Sequence, residues 1–262
     1  MNAVATDIVA GVARIALNRP EKRNALNRAT IEALTQTLRD CAGNAAVRVV
    51  QLTGVGTVFC AGADLAEMQA QAQADEAANL EDAERLATLL SVLDSIPKPT
   101  LARVNGDGYG GALGLLCACD IVVAVDHAKF AFTEVRLGII PAVISPFVLG
   151  KMGESAARRY FLTAESLTAA NLKELGLVHE VVSSDLLDAG CERIIESLLR
   201  AAPQALAEAK TLIRDVAHAS ARHRASASTE AAARLARLRV QAEAQEGFSA
   251  FFSKRKPSWR PD

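Results

Sequence analysis

Leu101-Ala102-Arg103-Val104-Asn105-Gly106-Asp107-Gly108-Tyr109-Gly110-Gly111-Ala112-Leu113-Gly114-Leu115-Leu116-Cys117-Ala118 is the stretch on which the fold turns. Its first four residues suit a short buried strand. Its centre carries four glycines within seven residues, 105 to 111, the composition of sharp turns or of close backbone approach. Its end, 112 to 118, is a short apolar helix. A strand that passes through a glycine-rich loop into a helix is the unit from which α/β folds are assembled, and the loop leaves backbone N–H groups exposed at a helix start.

The same unit recurs on the N-terminal side. Val12 to Leu17 alternates loosely and ends at Asn18-Arg19-Pro20, where proline stops a ladder. After Asn27, a favourable N-cap, Ile31, Leu34, Leu38 and Cys41 recur at helical spacing up to Gly43-Asn44. Val47 to Leu52 predicts a buried strand running into the loop Phe59-Cys60-Ala61-Gly62-Ala63-Asp64-Leu65. Residues 66 to 80 are rich in Ala, Gln and acids with little periodicity, which predicts a mobile helix or loop rather than core. Leu86, Leu89, Leu90 and Leu93 mark an amphipathic helix stopped by Pro97-Lys98-Pro99. Beyond the central stretch, Ile121 to Val125 and Lys129 to Phe132 read as strands, and everything after Ser145 reads as helix. Strands and helices alternating ahead of a helical third predict an α/β fold, divided into a core over 1–200 and a C-terminal helical oligomerisation region over 201–262.

Composition narrows the function. With 29 Lys and Arg against 30 Asp and Glu, the net charge of −1 offers no general attraction to nucleic acid or to an anionic membrane, so any anion site is local. No apolar run approaches the roughly 20 residues that span a bilayer, and Met1 to Gly11 lacks a basic segment followed by an apolar core. The reading is a cytoplasmic protein. The five cysteines are odd in number and lack paired ligand spacings, which favours buried thiols over disulfides or a metal site.

Three segments together resemble the crotonase (enoyl-CoA hydratase/isomerase) family, over nearly the whole chain. They are Arg19-Pro20-Glu21-Lys22-Arg23-Asn24-Ala25-Leu26-Asn27, the Phe59 to Leu65 loop, and Gly110-Gly111-Ala112 through Cys119-Asp120-Ile121; the ending Phe251-Phe252-Ser253-Lys254-Arg255-Lys256-Pro257 is also family-like. The resemblance implies a crotonase fold with a repeated ββα superhelical core, an acyl-CoA substrate, no cofactor and no metal, and homotrimers commonly paired as homohexamers. It also implies roles: the N–H groups of Ala63 and Gly111 as donors to a thioester oxygen, and Glu134 as the acid/base. Ala61, Asp64 and Leu65 would contact substrate, Lys22 and Lys254 the phosphates of coenzyme A, and Phe251 its adenine, the last two from a neighbouring subunit.

The physical reading agrees. A thioester reacts at its α and β carbons only if negative charge can collect on its carbonyl oxygen, which fixed N–H donors at a helix start favour. Glu134 stands beside the apolar Phe130-Ala131-Phe132, where a carboxyl is pushed toward the raised pKa of a general acid or base. Gly114 occupies the position of the second catalytic glutamate of the best-known hydratases, so either Glu134 works with a water or another partner or the reaction needs one carboxylate, and double-bond isomerisation is the alternative to hydration; a scaffold without catalysis has no need of the glycine pair and Glu134. From Glu134 through Phe147, and over Gly110 to Leu115, the chain is similar to bacterial methylglutaconyl-CoA hydratase-like members, which implies a branched, acidic acyl group. Arg136 is the guanidinium expected to pair with its distal carboxylate.

Overall fold

The computed structural model describes residues 2–217 and 224–260. Strands β1 (Val4–Val9), β2 (Val12–Leu17), β3 (Val49–Gly54) and β4 (Thr100–Val104) alternate with helices α1 (Arg28–Gly43), α2 (Leu65–Gln71) and α3 (Glu76–Ser95). There follow β5 (Gly108–Tyr109), α4 (Gly111–Ala118), β6 (Ile121–Val125), β7 (Lys129–Ala131), a 3-10 turn Glu134–Leu137, α5 (Ser145–Thr163), β8 (Leu167–Thr168), α6 (Ala169–Glu174) and β9 (Glu180–Val182). Helices α7 (Leu187–Arg200), α8 (Pro203–Ala217), α9 (Arg224–Arg239) and α10 (Ala242–Phe252) close the chain.

Six strands form one sheet in the order β1-β2-β3-β4-β6-β9, in which only the β1–β2 hairpin is antiparallel. A second, three-stranded sheet runs β5-β7-β8. The parallel strands are covered on both faces, so they read as continuous apolar runs: Val122, Val123, Ala124 and Val125 of β6 are all buried. This α/β architecture with two sheets and terminal helices is the one that the family resemblance implies.

Where expectation and structure differ, tertiary context is the reason. Val47 is fully buried but sits in the turn after α1, its N–H bonded to Asn44 O at 3.1 Å, so β3 starts at Val49. Residues 66–80 hold α2 and the first turn of α3, each capped by an aspartate: Asp64 Oδ1 accepts the Ala66 N–H and Asp75 Oδ1 the Ala78 N–H, both at 2.9 Å. Their exposed faces hid the helical period. Strands β8 and β9 interrupt the expected all-helical C-terminal part; β9 has three half-buried residues and exists because β6 offers it a parallel edge. All five cysteines are buried free thiols, and burial pushes Cys117 and Cys119 up to about 12. Among the described residues no helix is long and apolar enough to cross a membrane.

Candidate active site

The site is made where the glycine-rich loop meets the Phe59–Leu65 loop. Gly110 ends the loop at φ 53°, ψ −116°, and donates its N–H to Ala131 O at 3.0 Å. A Cβ there would stand 3.2 Å from Glu134 Oε1, so a side chain at this position would crowd the carboxylate as well as strain the backbone. Gly111 then opens α4, and among the described residues no acceptor takes its N–H. Helix starts leave such donors unpaired, and the macrodipole makes the spot attractive to negative charge.

Across from it, Leu26 bridges to Ala63: Leu26 N–H donates to Gly62 O at 2.7 Å and Asp64 N–H to Leu26 O at 3.0 Å. Strand alternation turns the intervening Ala63 N–H to the other side, where no acceptor meets it among the described residues. Gly62, at φ 89°, allows the loop to make this approach.

Glu134 begins the 3-10 turn behind β7, next to the fully buried Phe130 and Phe132. Its Oε2 is buried without a hydrogen-bond partner. Burial pushes its carboxyl above the usual range, opposed only by its own backbone N–H. Glu134, Ala63 and Gly111 line one cavity of 310 Å³ together with the apolar Leu86, Pro141 and Ile144. Polar residues that the sequence reading missed also line it: Glu67 and Gln71 from α2, Asn79 and Asp82 from α3. Gln71 Nε2 donates to Asp82 Oδ2 at 2.5 Å and Asn79 Nδ2 to Gln71 O at 3.0 Å, tying the two helices together. The aspartate caps of α2 and α3 were the available signal that this segment is built rather than loose.

Gly114 lies one turn into α4, fully packed. A Cβ there would stand 2.5 Å from Ile144 Cγ2 and 3.2 Å from Leu90 Cδ1, so the position has no room for a carboxylate. Two donors and one unpaired carboxyl around one cavity can hold a developing oxyanion and exchange a proton beside it.

A second cavity of 380 Å³ adjoins at Ala63 and is lined by Lys22, Arg23, Ala61, Asp64 and Leu65. Lys22, Ala61 and Leu65 therefore lie together. Asp64 lies there too, but its carboxylate is already engaged: Arg19 Nη2 stands 2.8 Å from Oδ2 and Oδ1 caps α2. Burial alone would raise its pKa, but the Arg19 hydrogen bond and the Ala66 N–H outweigh burial and hold the group below the usual carboxylate range. These partners tie the Asp64 carboxylate to Arg19 and to the start of α2 beside the Ala63 loop. Arg136 is a clearer correction. Its Nη2 donates to Ala164 O at 2.8 Å, satisfying a carbonyl at the C-terminus of α5, and it lines neither cavity. Phe251, 77% exposed, and Lys254 at the end of α10 also line neither cavity, so one chain does not bring them to the site. The C-terminal segment instead docks on the core through Arg48, which donates to Trp259 O at 2.9 Å and Ala201 O at 2.7 Å.

Residues 7–262 match the family model described as enoyl-CoA hydratase/isomerase. The chain is 37% identical over 215 residues to the enoyl-CoA hydratase ACTT6 of Alternaria alternata, covering 82% of this chain and 70% of that one. It is 34% identical over 247 residues to the 2,3-dehydroadipyl-CoA hydratase of Escherichia coli, covering 94% of each. Among solved structures, an enoyl-CoA hydratase from Shewanella pealeana superposes with a TM-score of 0.93 at 42% identity, over 98% of this chain and 96% of that one.

Proposed function

Because the chain belongs to the enoyl-CoA hydratase/isomerase family, whose enzymes act on acyl-CoA without a cofactor, we propose that it adds water across the α,β double bond of an enoyl-CoA thioester. The observation that carries this reading is the meeting of the unpaired Ala63 and Gly111 N–H groups with the unpaired Glu134 carboxyl in one cavity. The two N–H groups hold the thioester oxygen. Glu134 takes a proton from water as the water oxygen bonds to Cβ; the double-bond electrons move onto the carbonyl oxygen as an enolate, and Glu134 returns the proton to Cα. Each donor of this kind is worth about 3 to 4 kcal/mol in the barrier. Gly114 contributes no second carboxylate, so one carboxyl serves both proton steps.

That same closure at Gly114 favours a second reading, double-bond isomerisation, in which Glu134 removes a proton from one carbon and returns it to another. A panel of enoyl-CoA thioesters, including crotonyl-CoA and methylglutaconyl-CoA, decides between them through ultraviolet loss of the conjugated thioester and product mass. A gain of one water per turnover is expected; unchanged mass with a moved double bond would overturn hydration.

The acyl group proposed is branched and acidic, of the methylglutaconyl type. The E. coli relative's substrate, 2,3-dehydroadipyl-CoA, also ends in a carboxylate, which supports an acidic chain. Lys22 is assigned to the coenzyme A phosphates from the second cavity. Residues 201–262 are proposed as the assembly region: exposed Phe248, Phe251, Phe252 and Ile213 are faces that a trimer or hexamer would cover, and they would bring Phe251 and Lys254 to a neighbour's coenzyme A. Sedimentation showing a monomer at micromolar concentration would refute this assembly.

A further inference from the structure

An acidic acyl chain needs a cation at the far end of its cavity, and Arg136 is turned away from it. Of the described residues lining the 310 Å³ cavity, Arg28 is the one cation, against the acids Glu67, Asp82 and Glu134. With the Ala63 and Gly111 N–H groups given to the thioester oxygen, Arg28 is the positively charged side chain of this lining that an acyl carboxylate can meet.

Arg28 is the first residue of α1, and its guanidinium reaches across to α3. Its Nε stands 3.1 Å from Glu32 Oε1 and its Nη2 3.3 Å from Glu81 Oε1, while Nη1 meets no acceptor among the described residues. Its side chain is 53% exposed and its two partners are more so, at 56% and 64%. Pairs so exposed hold their partners weakly and are readily exchanged. Glu81 and Glu32 are also shared with Arg85, so either can release Arg28 without becoming unpaired. The two acids beside it are already served by donors: Asp82 by the Gln71 amide, and Glu67 Oε1 by the Arg28 backbone N–H at 3.4 Å. Arg28 is therefore the cation lining the cavity whose present ion pairs, to Glu32 and Glu81 outside it, can be exchanged for a ligand carboxylate.

We propose that Arg28 is the specificity residue of this enzyme, pairing through its guanidinium fork with a carboxylate at the distal end of the acyl chain. This rests on the hydratase reading for the placement of the thioester, but its test does not depend on turnover. Binding of two unreactive saturated thioesters, glutaryl-CoA and butyryl-CoA, is measured by titration calorimetry on the wild type, Arg28→Met and Arg28→Lys, with sedimentation and thermal melting as controls for folding. The wild type should bind glutaryl-CoA at least about tenfold more tightly than butyryl-CoA. Arg28→Met should erase that preference, and Arg28→Lys should restore part of it, because the charge returns without the fork. A role limited to joining α1 to α3 would weaken both ligands alike and leave their ratio in place. A preference that survives Arg28→Met, or none in the wild type, overturns the proposal. Failure of the hydratase reading would show separately, as wild-type protein that binds these thioesters but adds no water to any enoyl-CoA.

Discussion

Glu134 and Asp64 are two carboxylates on the walls of adjoining cavities, and their surroundings drive them in opposite directions. Glu134 has apolar neighbours and a buried oxygen without a partner, so burial acts nearly unopposed and its pKa rises. Asp64, with 6% of its surface exposed, has Arg19 and a helix N-terminus for partners, and its pKa falls although burial pulls the other way. Burial by itself does not set the charge of a carboxyl; the presence or absence of a donor does. The unpaired one is left without a donor, and the paired one is tied to Arg19 and the start of α2.

The sharpest test of this contrast is Glu134→Gln, which keeps shape and hydrogen bonding but removes the titrating proton. Turnover should fall on the order of a hundredfold or more, with substrate affinity little changed. A folded variant with near-normal turnover on its true substrate would break the comparison. Asp64→Asn should act mainly on stability. Arg19 would lose its ion pair while remaining largely buried, at a loss of about 3 kcal/mol, read as a lowered urea midpoint. A loss of activity without destabilisation would instead make Asp64 a substrate contact. Gly114→Ala tests the closed position: overpacking against Ile144 and Leu90 should destabilise by about 1 to 3 kcal/mol.

Urea titrations across pH sharpen the same pair. The folded pKa of Asp64 is depressed, so its contribution is present above its ordinary value of 3.8 and lost as pH falls through the folded value. The folded pKa of Glu134 is raised, so its penalty appears as pH rises past 4.5 and is complete above the folded value. Glu134→Gln should therefore gain stability over wild type toward neutral pH and lose that advantage below about pH 4.5, whereas Asp64→Asn should show its deficit at neutral pH and approach wild type in acid. The smallest effect is expected of Arg136→Ala, about 1 kcal/mol from the lost bond to Ala164 O, with equal consequences for acidic and neutral substrates. A selective loss on a dicarboxylic acyl-CoA would return Arg136 to the binding site.

The unpaired N–H groups and the carboxyl beside them were legible through the family resemblance, and two of the three also have a local pattern. A glycine pair opening an apolar helix exposes N–H groups wherever that helix packs, and a glutamate after Phe130-Ala131-Phe132 follows a buried strand in any α/β arrangement. Asn27 was legible as the cap of α1 for the same reason, and its Oδ1 does accept the Thr30 N–H at 2.9 Å. Side-chain direction was not legible. Arg136 is two residues from Glu134, yet a short 3-10 turn sends their side chains to different places, and the carbonyl that captures Arg136 lies 28 residues further along the chain. Arg28 and the Gln71–Asp82 wall went unnoticed because the sequence shows them only as exposed polar positions on three helices.

The sequence by itself thus determined most of the strand–helix units ahead of α5 and the glycine pair that frees an N–H at a helix start, because these depend on neighbours within a few residues, and its family resemblance pointed to Ala63 and Glu134. Tertiary structure alone decided which charges meet. Ile144 closes Gly114 from 30 positions away, Arg19 claims Asp64 across 45, and Arg28 meets Glu81 because α1 packs on α3. Each of these is a contact between segments distant in the chain, and the energy of a charge or a void depends on what surrounds it in space.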